Sequence, residues 1–519
     1  MFEPAVLPSK KVVSSSHVGA DALNHRIQNQ FSPALQLCSD ILEYLFLLAA
    51  NLEPDTSSLF RAVVSYSQTC HDWRVVALSS KSLWVQLIDF KGRSCQWNEE
   101  MLRRSYPLPI QLSYHSNTYR DAKVLLVQLS HLDRIQTYSV GCAAADWDTV
   151  ISLLNQPAES LEELYLTCYH STGRNDLESP ISPLFLSSDY AFNLRQLGVK
   201  ACSVDFRSPA LRSLTCLRVM DLAPHNSPTA AEWLNHLHQM PSLVELLLLN
   251  AILPSKYQPA DFAAFNCQGR MPHIVDLELK APLSDISSLL HHLPMPRQCH
   301  WSLECLQSAP GSELDKVLQV FSNGLRGACS SNVPCPLLIA AHGFDIFLRS
   351  ENYSSDLSSE LSLFTTFRAP EDRDWNSLFP EVAAGLAQAM PQITSLELNI
   401  PIVLPSLLAL LRRASRLNTL VNMPPKMWKT LLPHLQTLLA SGEITFPFLD
   451  CIVFTDDRSM WGESFQNFLS FLRWRLQMGS PIRMVYFLRC MILEDVVKEL
   501  MALGVNVDGD SEGVRWQNF

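Results

Sequence analysis

Charge is scarce in this 519-residue chain: Asp, Glu, Lys and Arg make up 18% of it, and no basic run is longer than pairs such as Arg103-Arg104 and Arg412-Arg413. Without such a run there is no electrostatic footprint for a phosphate backbone, and no nucleic-acid partner is expected. Long apolar runs are missing too. No stretch reaches the roughly 18 to 20 residues that span a bilayer, and the first 25 residues, MFEPAVLPSKKVVSSSHVGADALNH, hold no apolar core of signal-peptide length. The expectation is a soluble intracellular protein, cytoplasmic or nuclear, with no membrane partner.

Motifs for chemistry are equally thin. There is no P-loop and no G-x-G-x-x-G. Gly509-Asp510-Ser511-Glu512-Gly513 satisfies G-x-S-x-G, but a nucleophile elbow needs an acid and a His later in the chain, and Val514 to Phe519 contain no His. Ser511 therefore reads as part of a terminal turn, with no catalytic residue and no enzyme activity expected. The densest potential metal ligands are His291, His292, Cys299, His300 and Cys305. No C-x-x-C pair exists anywhere among the 14 cysteines, so these read as loop histidines and buried thiols, with no metal and no cofactor. The cysteines are scattered without a compact even framework and are expected to be reduced. Asn352-Tyr-Ser is a glycosylation sequon, but nothing directs the chain to the secretory pathway.

What the chain has in quantity is apolar residues, 47% of the total, enough to bury a large core. The formal net charge is -11, and its acidity is C-terminal: residues 1–110 hold 10 Lys+Arg and 10 Asp+Glu, leaving 30 and 41 for the rest. Residues 1–34 are Ser-, Pro- and polar-rich and read as a flexible tail. From Ser39, SDILEYLFLLAANL repeats apolar residues at helical spacing through Ile41, Leu42, Leu45, Leu48 and Ala49, with Ser39 or Asp40 able to supply the cap oxygen and Pro54 ending the helix. A second helical segment, SLFRAVVSYSQTCHDWRVVALSS, puts Leu59, Val63, Tyr66, Cys70, Trp73 and Ala77 on one face. Leu83-Trp84 follows. Two short helices cannot cover so much apolar surface, so the surplus should dock elsewhere.

From about residue 129 the pattern becomes short apolar strands alternating with helices. The recurring unit is L-x-x-L-x-L, starting at Leu161, Leu194, Leu217, Leu243, Ile274 and Ile393, the first five 33, 23, 26 and 31 residues apart. AAEWLNHLHQ before Leu243 and EVAAGLAQAM before Ile393 read as helices ahead of their strands. Such units bury one strand face and one helix stripe by stacking on their neighbours under a parallel sheet. Between about 299 and 390 the register is lost, with PLLIAAHGFDIFLRS and ELSLFTTFRAP as strands of irregular repeats or an insertion. It resumes through FPFLDCIVFT, RMVYFLRC and the helix LEDVVKELMALG, whose Gly504 suits a C-cap.

LCSDILEYLF at 37–46 and SQTCHDWRVVALSSKSLW at 67–84 resemble the F-box family in its fungal form, which opens with Leu-Pro-x-Glu and an apolar helix and continues with Cys-x-x-Trp-Arg-x-x-Ala and a Leu-Trp pair. Cys70, Trp73, Arg74, Ala77, Leu83 and Trp84 match in type and spacing, while Cys38 stands where Pro is usual and Asp40 where Glu is usual. The strand pattern is similar to leucine-rich repeats in degenerate form, with Cys202 and Cys490 where that family's backbone-bonding Asn or Cys stands. The fold these resemblances imply is α/β: a flexible tail (1–34), a helical F-box (35–90), a connector (91–128) and an irregular leucine-rich-repeat-like solenoid with a parallel sheet (129–519). They also imply docking on a Skp-family adaptor, and through it a cullin, by Leu37, Ile41, Leu42, Leu45, Phe46, Trp73, Leu83 and Trp84. The repeats would hold an unknown protein substrate. The alternative is a repeat scaffold with no ubiquitin role, its N-terminal helices a cap.

The period-two alternation of strands puts the neighbours of each core pair on the outward, concave face. In the central units these are Val219 and Asp221, Glu245 and Leu247, and Asp276 and Glu278. Four carboxylates on three successive strands make an acidic face, which is either merely solvated or holds a basic segment of the substrate, with Leu247 as an apolar contact amid the charges.

Overall fold

Apolar residues three and four apart carry the first helix, α1 (Ser39–Asn51), and they fall into two stripes rather than one. In the computed structural model Leu42, Phe46 and Ala50 are buried, while Ile41, Leu45 and Leu48 face out. Cys38 is the N-cap and makes no side-chain cap bond, so neither Ser39 nor Asp40 plays that part. The expected second helix is two. Cys70 is extended (φ -154°, ψ 176°) and separates α2 (Thr56–Thr69) from α3 (His71–Ser79). The Asp55 side chain caps α2 by accepting from the Ser57 and Ser58 N–H groups at 2.8 and 2.9 Å, and the Cys70 thiol accepts from the Trp73 N–H to start α3. Two more short helices, α4 (Lys81–Gln86) and α5 (Cys95–Ser105), complete the cluster.

The structure describes residues 33, 37–53, 55–90, 94–112, 122–169, 193–202, 204–254, 272–293, 299–306, 311–328, 336–342, 345–351, 362–368, 375–399, 405–423, 425–440, 446–455, 463–488, 490–509 and 515–517. The chain divides into two compact units between Leu164 and Tyr165, with Asn193 belonging to the first. The expected boundary, at 128/129, lies earlier. The first unit continues past the helices with β1 (Ile110–Leu112), α6 (Ala122–Leu129), β2 (Ile135–Ala143) and α7 (Trp147–Leu154), and α5, β1 and most of α6 fall within the expected connector. β1 and β2 pair in parallel. The buried Arg134 donates to the Leu102 and Leu108 carbonyls and to Ser105 Oγ, satisfying the loop ahead of β1.

The second unit is mixed α/β around a parallel sheet. After β3 (Glu163–Tyr169), which straddles the boundary, come β4 (Gln196–Lys200), β5 (Cys216–Met220), β6 (Glu245–Leu249), β7 (Asp276–Pro282), β8 (His300–Leu306), β9 (Pro336–His342), β10 (Asp345–Glu351) and β11 (Ser362–Arg368). β12 (Ser395–Asn399), β13 (Thr419–Val421), β14 (Cys451–Thr455), β15 (Met484–Leu488), β16 (Met491–Leu493), β17 (Asn506–Gly509) and β18 (Arg515–Gln517) follow. The sheet order is β4-β5-β6-β7-β8-β11-β10-β9-β12-β13-β14-β15-β17, and β16 and β18 form a separate pair. Neighbours in sequence are thus neighbours in space except where β16 leaves the sheet, so that β15 pairs with β17, and between β8 and β12. There β10 runs antiparallel to both β9 and β11, while β11 is parallel to β8 and β9 to β12. The stretch where the repeat register was lost is this inserted reversal.

Helices precede β6 and β12 as expected, α8 (Ala230–His238) and Phe379–Leu386. Inward leucines such as Leu246, Leu248, Leu277 and Leu279 are fully covered. The same turn closes several strands: Ala201, Asp221, Asn250 and Asn422 each follow a strand with φ between 49° and 55°. Their N–H groups bond the carbonyls of Met220, Leu249, Lys280 and Val453 on the next strand at 2.8–3.0 Å. Asn and Asp tolerate this left-handed conformation best, which accounts for three of the four. Cys202 Sγ lies 3.1 Å from the Lys200 carbonyl and 3.6 Å from that of Leu166. Cys490 repeats the arrangement with Leu488 and Phe454 at 3.4 and 3.5 Å, so both expected thiol–backbone bonds are present. Gly504, at φ 77°, ends the helix Glu494–Ala502.

One strand sits a register away from its reading. Leu217 pairs with Leu246 and Val219 with Leu248, so Leu217 and Val219 point inward and Arg218 outward. The repeat here starts at Leu214 rather than Leu217. Val219 is buried, and Asp221 lies in the turn beyond the strand. A one-residue shift exchanges the two faces of a strand, which is why the outward residue is a cation.

Candidate functional site

The eight residues assigned to adaptor docking divide by burial. Leu42, Phe46, Leu83 and Trp84 belong to the first unit's own core, with Ala50, Leu59, Val63, Val76, Ala77, Leu87 and Met101. Phe46 stacks on Tyr66 at 4.5 Å and meets Trp73 edge-on at 5.1 Å, which leaves Trp73 half-buried. Trp84 donates to the Leu78 carbonyl, and the Arg104 guanidinium covers its ring at 4.4 Å. The surplus apolar surface expected of two helices is therefore covered in large part by α4 and α5. Arg74 donates to the Ser67 carbonyl across the break at Cys70, and Ser80 caps α4 while donating to Glu43 of α1 at 2.6 Å. The motif residues build the scaffold.

Leu37, Ile41 and Leu45 remain outside. Ile41, Leu45, Leu48 and Leu52 are 49, 41, 48 and 80% exposed, and they lie 4, 3 and 4 residues apart, the spacing of one helical stripe. Tyr44 is exposed beside them. Val75 and Leu78 of α3 are also exposed. Leu48, Leu52 and Tyr44 are not among the residues assigned to docking, although the same periodicity marks the two leucines. A continuous apolar stripe opposite a second, buried one on the same helix is what a partner-facing helix presents.

On the second unit's sheet the outward positions of β4 to β8 form registered rows. Gly198, Arg218, Leu247, Glu278 and Ser302 make the middle row, with Cys216, Glu245, Asp276 and His300 on one side and Met220, Leu249, Lys280 and Glu304 on the other. Gly198 has a reason: a Cβ there would meet the Tyr165 ring at 2.3 Å, so the ring lies on the strand, its hydroxyl bonded to Gln196 at 2.6 Å. Glu245, Leu247, Asp276 and Glu278 are brought together as expected. Asp221 is not part of that row. It bonds Asn250 at 3.0 Å and pairs with Lys200 at 3.6 Å beyond the strand end. The face is less acidic than expected because Arg218 bonds Glu245 at 3.3 Å and Lys280 bonds Glu304 at 2.9 Å. Asp276 and Glu278 have no ion pair among the described residues. Burial first, with Asp276 and Glu304 adding to it, raises the Glu278 carboxyl above its ordinary range against the opposing pull of Arg218.

Ser511 and Asn352 lie outside the described residues, as do residues 1–32 of the expected tail. His291 and His292 end a helix, α9 (Leu283–His292), and His300 lies on β8, so none of the three is in a loop. Cys299 and Cys305 are buried thiols, and burial pushes that of Cys299 up to about 12. Among the described residues no three His, Cys, Asp or Glu side chains are grouped to hold a metal ion, and no helix is long and apolar enough to cross a membrane. The chain matches no protein-family model and no curated protein.

Proposed function

We propose that the chain is a substrate-recognition adaptor of a Skp/cullin/F-box ubiquitin ligase. The first unit docks on a Skp-family adaptor, and the second, a degenerate leucine-rich-repeat-like solenoid, holds the protein substrate. The observation that carries this reading is the exposed stripe of α1, Ile41, Leu45, Leu48 and Leu52, set opposite a buried stripe that keeps the helix in place without it. Support for the repeat reading comes from the recurring left-handed turn and the two matching thiol–carbonyl bonds. In this role the chain does no chemistry itself and raises the effective concentration of substrate lysines beside the ubiquitin carrier.

A second reading keeps the repeats and makes the N-terminal helices a cap with no ubiquitin role. It is favoured by the burial of Leu42, Phe46, Leu83 and Trp84 within their own unit. Co-expression with a Skp-family adaptor separates the two. The full chain should co-elute with it on gel filtration, and Ile41→Asp with Leu45→Asp should abolish co-elution while the chain stays monodisperse. Separate elution of the wild-type chain sinks the adaptor reading.

A further inference from the structure

We propose that the outward face of β5, β6 and β7 is a docking surface for an extended peptide segment carrying a lysine or arginine beside an aliphatic side chain, the cation seated at Glu278 and Asp276 and the aliphatic group on Leu247. It rests on the reading of the second unit as the part that holds substrate, and it names the class of segment held.

Register brings the parts together. Leu247 and Glu278 are partners on adjacent parallel strands, with Arg218 on the other side of Leu247. Such strands lie about 4.8 Å apart, and side chains on one side of an extended segment recur about every 6.7 Å. An aliphatic group over Leu247 thus leaves the next same-side residue within reach of Glu278, a gap that a flexible lysine stem spans. Leu247 and Leu249 are half-buried and give the segment an apolar floor.

The charges decide the occupant. Three cations on or beside this face are already committed: Lys200 to Asp221, Arg218 to Glu245 and Lys280 to Glu304. The two carboxylates of the face without an ion pair among the described residues, Asp276 and Glu278, lie on one strand two residues apart, and Arg218 offsets Glu278 only in part. Glu278 is half-buried between these pairs, and its carboxyl is raised by burial and by its acidic neighbours even with Arg218 opposing them. A cation brought there relieves a cost that the sheet already bears, whereas an anion adds to it, so complementarity selects a basic segment.

The test uses the full chain and two fluorescein-labelled ten-residue peptides, one alternating valine with lysine and the other valine with glutamate, read by fluorescence anisotropy at low and high salt. The lysine peptide should bind saturably and the glutamate peptide should not. Glu278→Lys should weaken the lysine peptide at least tenfold at low salt, with a smaller factor at high salt, and Glu278→Gln should fall between. Asp315→Lys, an equal charge change on an exposed residue of the helix Ser312–Ala328, should leave it unchanged. Equal loss in Asp315→Lys and Glu278→Lys, or equal binding of the two peptides, overturns the proposal, as does no binding of the lysine peptide. Adaptor co-elution is scored separately. Its failure alongside intact peptide binding removes the ligase reading and leaves this surface standing.

Discussion

Leu42 and Leu45 are one turn apart on α1 and chemically identical, and they should answer to truncation in opposite ways. Leu42 is 4% exposed, inside the core that includes Phe46, Val63, Leu83 and Trp84. Leu42→Ala removes three carbons, worth about 0.8 kcal/mol each, and leaves a cavity that the surrounding rings fill only in part. The cost is about 3 kcal/mol. Leu45 is 41% exposed and has no such surroundings to vacate, so Leu45→Ala costs about 1 kcal/mol or less. Because the chain has two units, a single melting temperature would mix their transitions. Amide hydrogen exchange read by mass spectrometry on peptides within 39–105 isolates the first. About 3 kcal/mol corresponds to exchange about a hundredfold faster throughout the cluster in Leu42→Ala, against less than about tenfold in Leu45→Ala. Adaptor binding should show the reverse ranking, once the Leu42 variant is corrected for its unfolded fraction. Equal acceleration in the two variants would refute the assignment of the stripes.

Thr365 is fully buried on β11, between Leu303 of β8 and Leu348 of β10, and its hydroxyl has no hydrogen-bond partner among the described residues. Thr365→Val keeps the shape and removes the unsatisfied group, so the second unit should gain about 1 kcal/mol, seen as a higher urea midpoint with unchanged slope. His236 of α8 packs on Phe206 and Trp233, and its Nδ1 has no hydrogen-bond partner among the described residues. Burial first and Arg207 second lower its pKa below 6.5, against the opposing pull of Glu232 and Asp205. The unfolded state then binds the proton more readily. Stability is present in full above about pH 6.5 and falls as the pH drops through the lowered folded value. His236→Leu should flatten the dependence of the urea midpoint on pH below 6.5. An unchanged slope would place the titration elsewhere.

Much of this protein follows from local pattern. The spacing of Ile41, Leu42, Leu45 and Leu48 makes a helix whatever it packs against, and the alternation in LVELLL and IVDLEL makes strands with Leu246, Leu248, Leu277 and Leu279 inward. The thiols of Cys202 and Cys490 find their carbonyls because the strand end that precedes each has the same shape. Other features are not local. Helical spacing runs straight through Cys70, yet the chain breaks there, and Trp73 of α3 meets Phe46 of α1. In LRVMDL both faces carry apolar residues, Leu217 and Val219 on one and Met220 and Leu222 on the other, so periodicity alone allows either to face the core. Hydrogen-bonded registry with β6 decides for the first and turns Arg218 outward. The reversal of β10 is hidden for a related reason, since alternation has period two in either direction of travel. Which stripe of α1 is core and which is surface, and which carboxylates keep a net charge, were settled by neighbours distant in sequence. Burial and ion pairing belong to pairs of elements, whereas periodicity belongs to one.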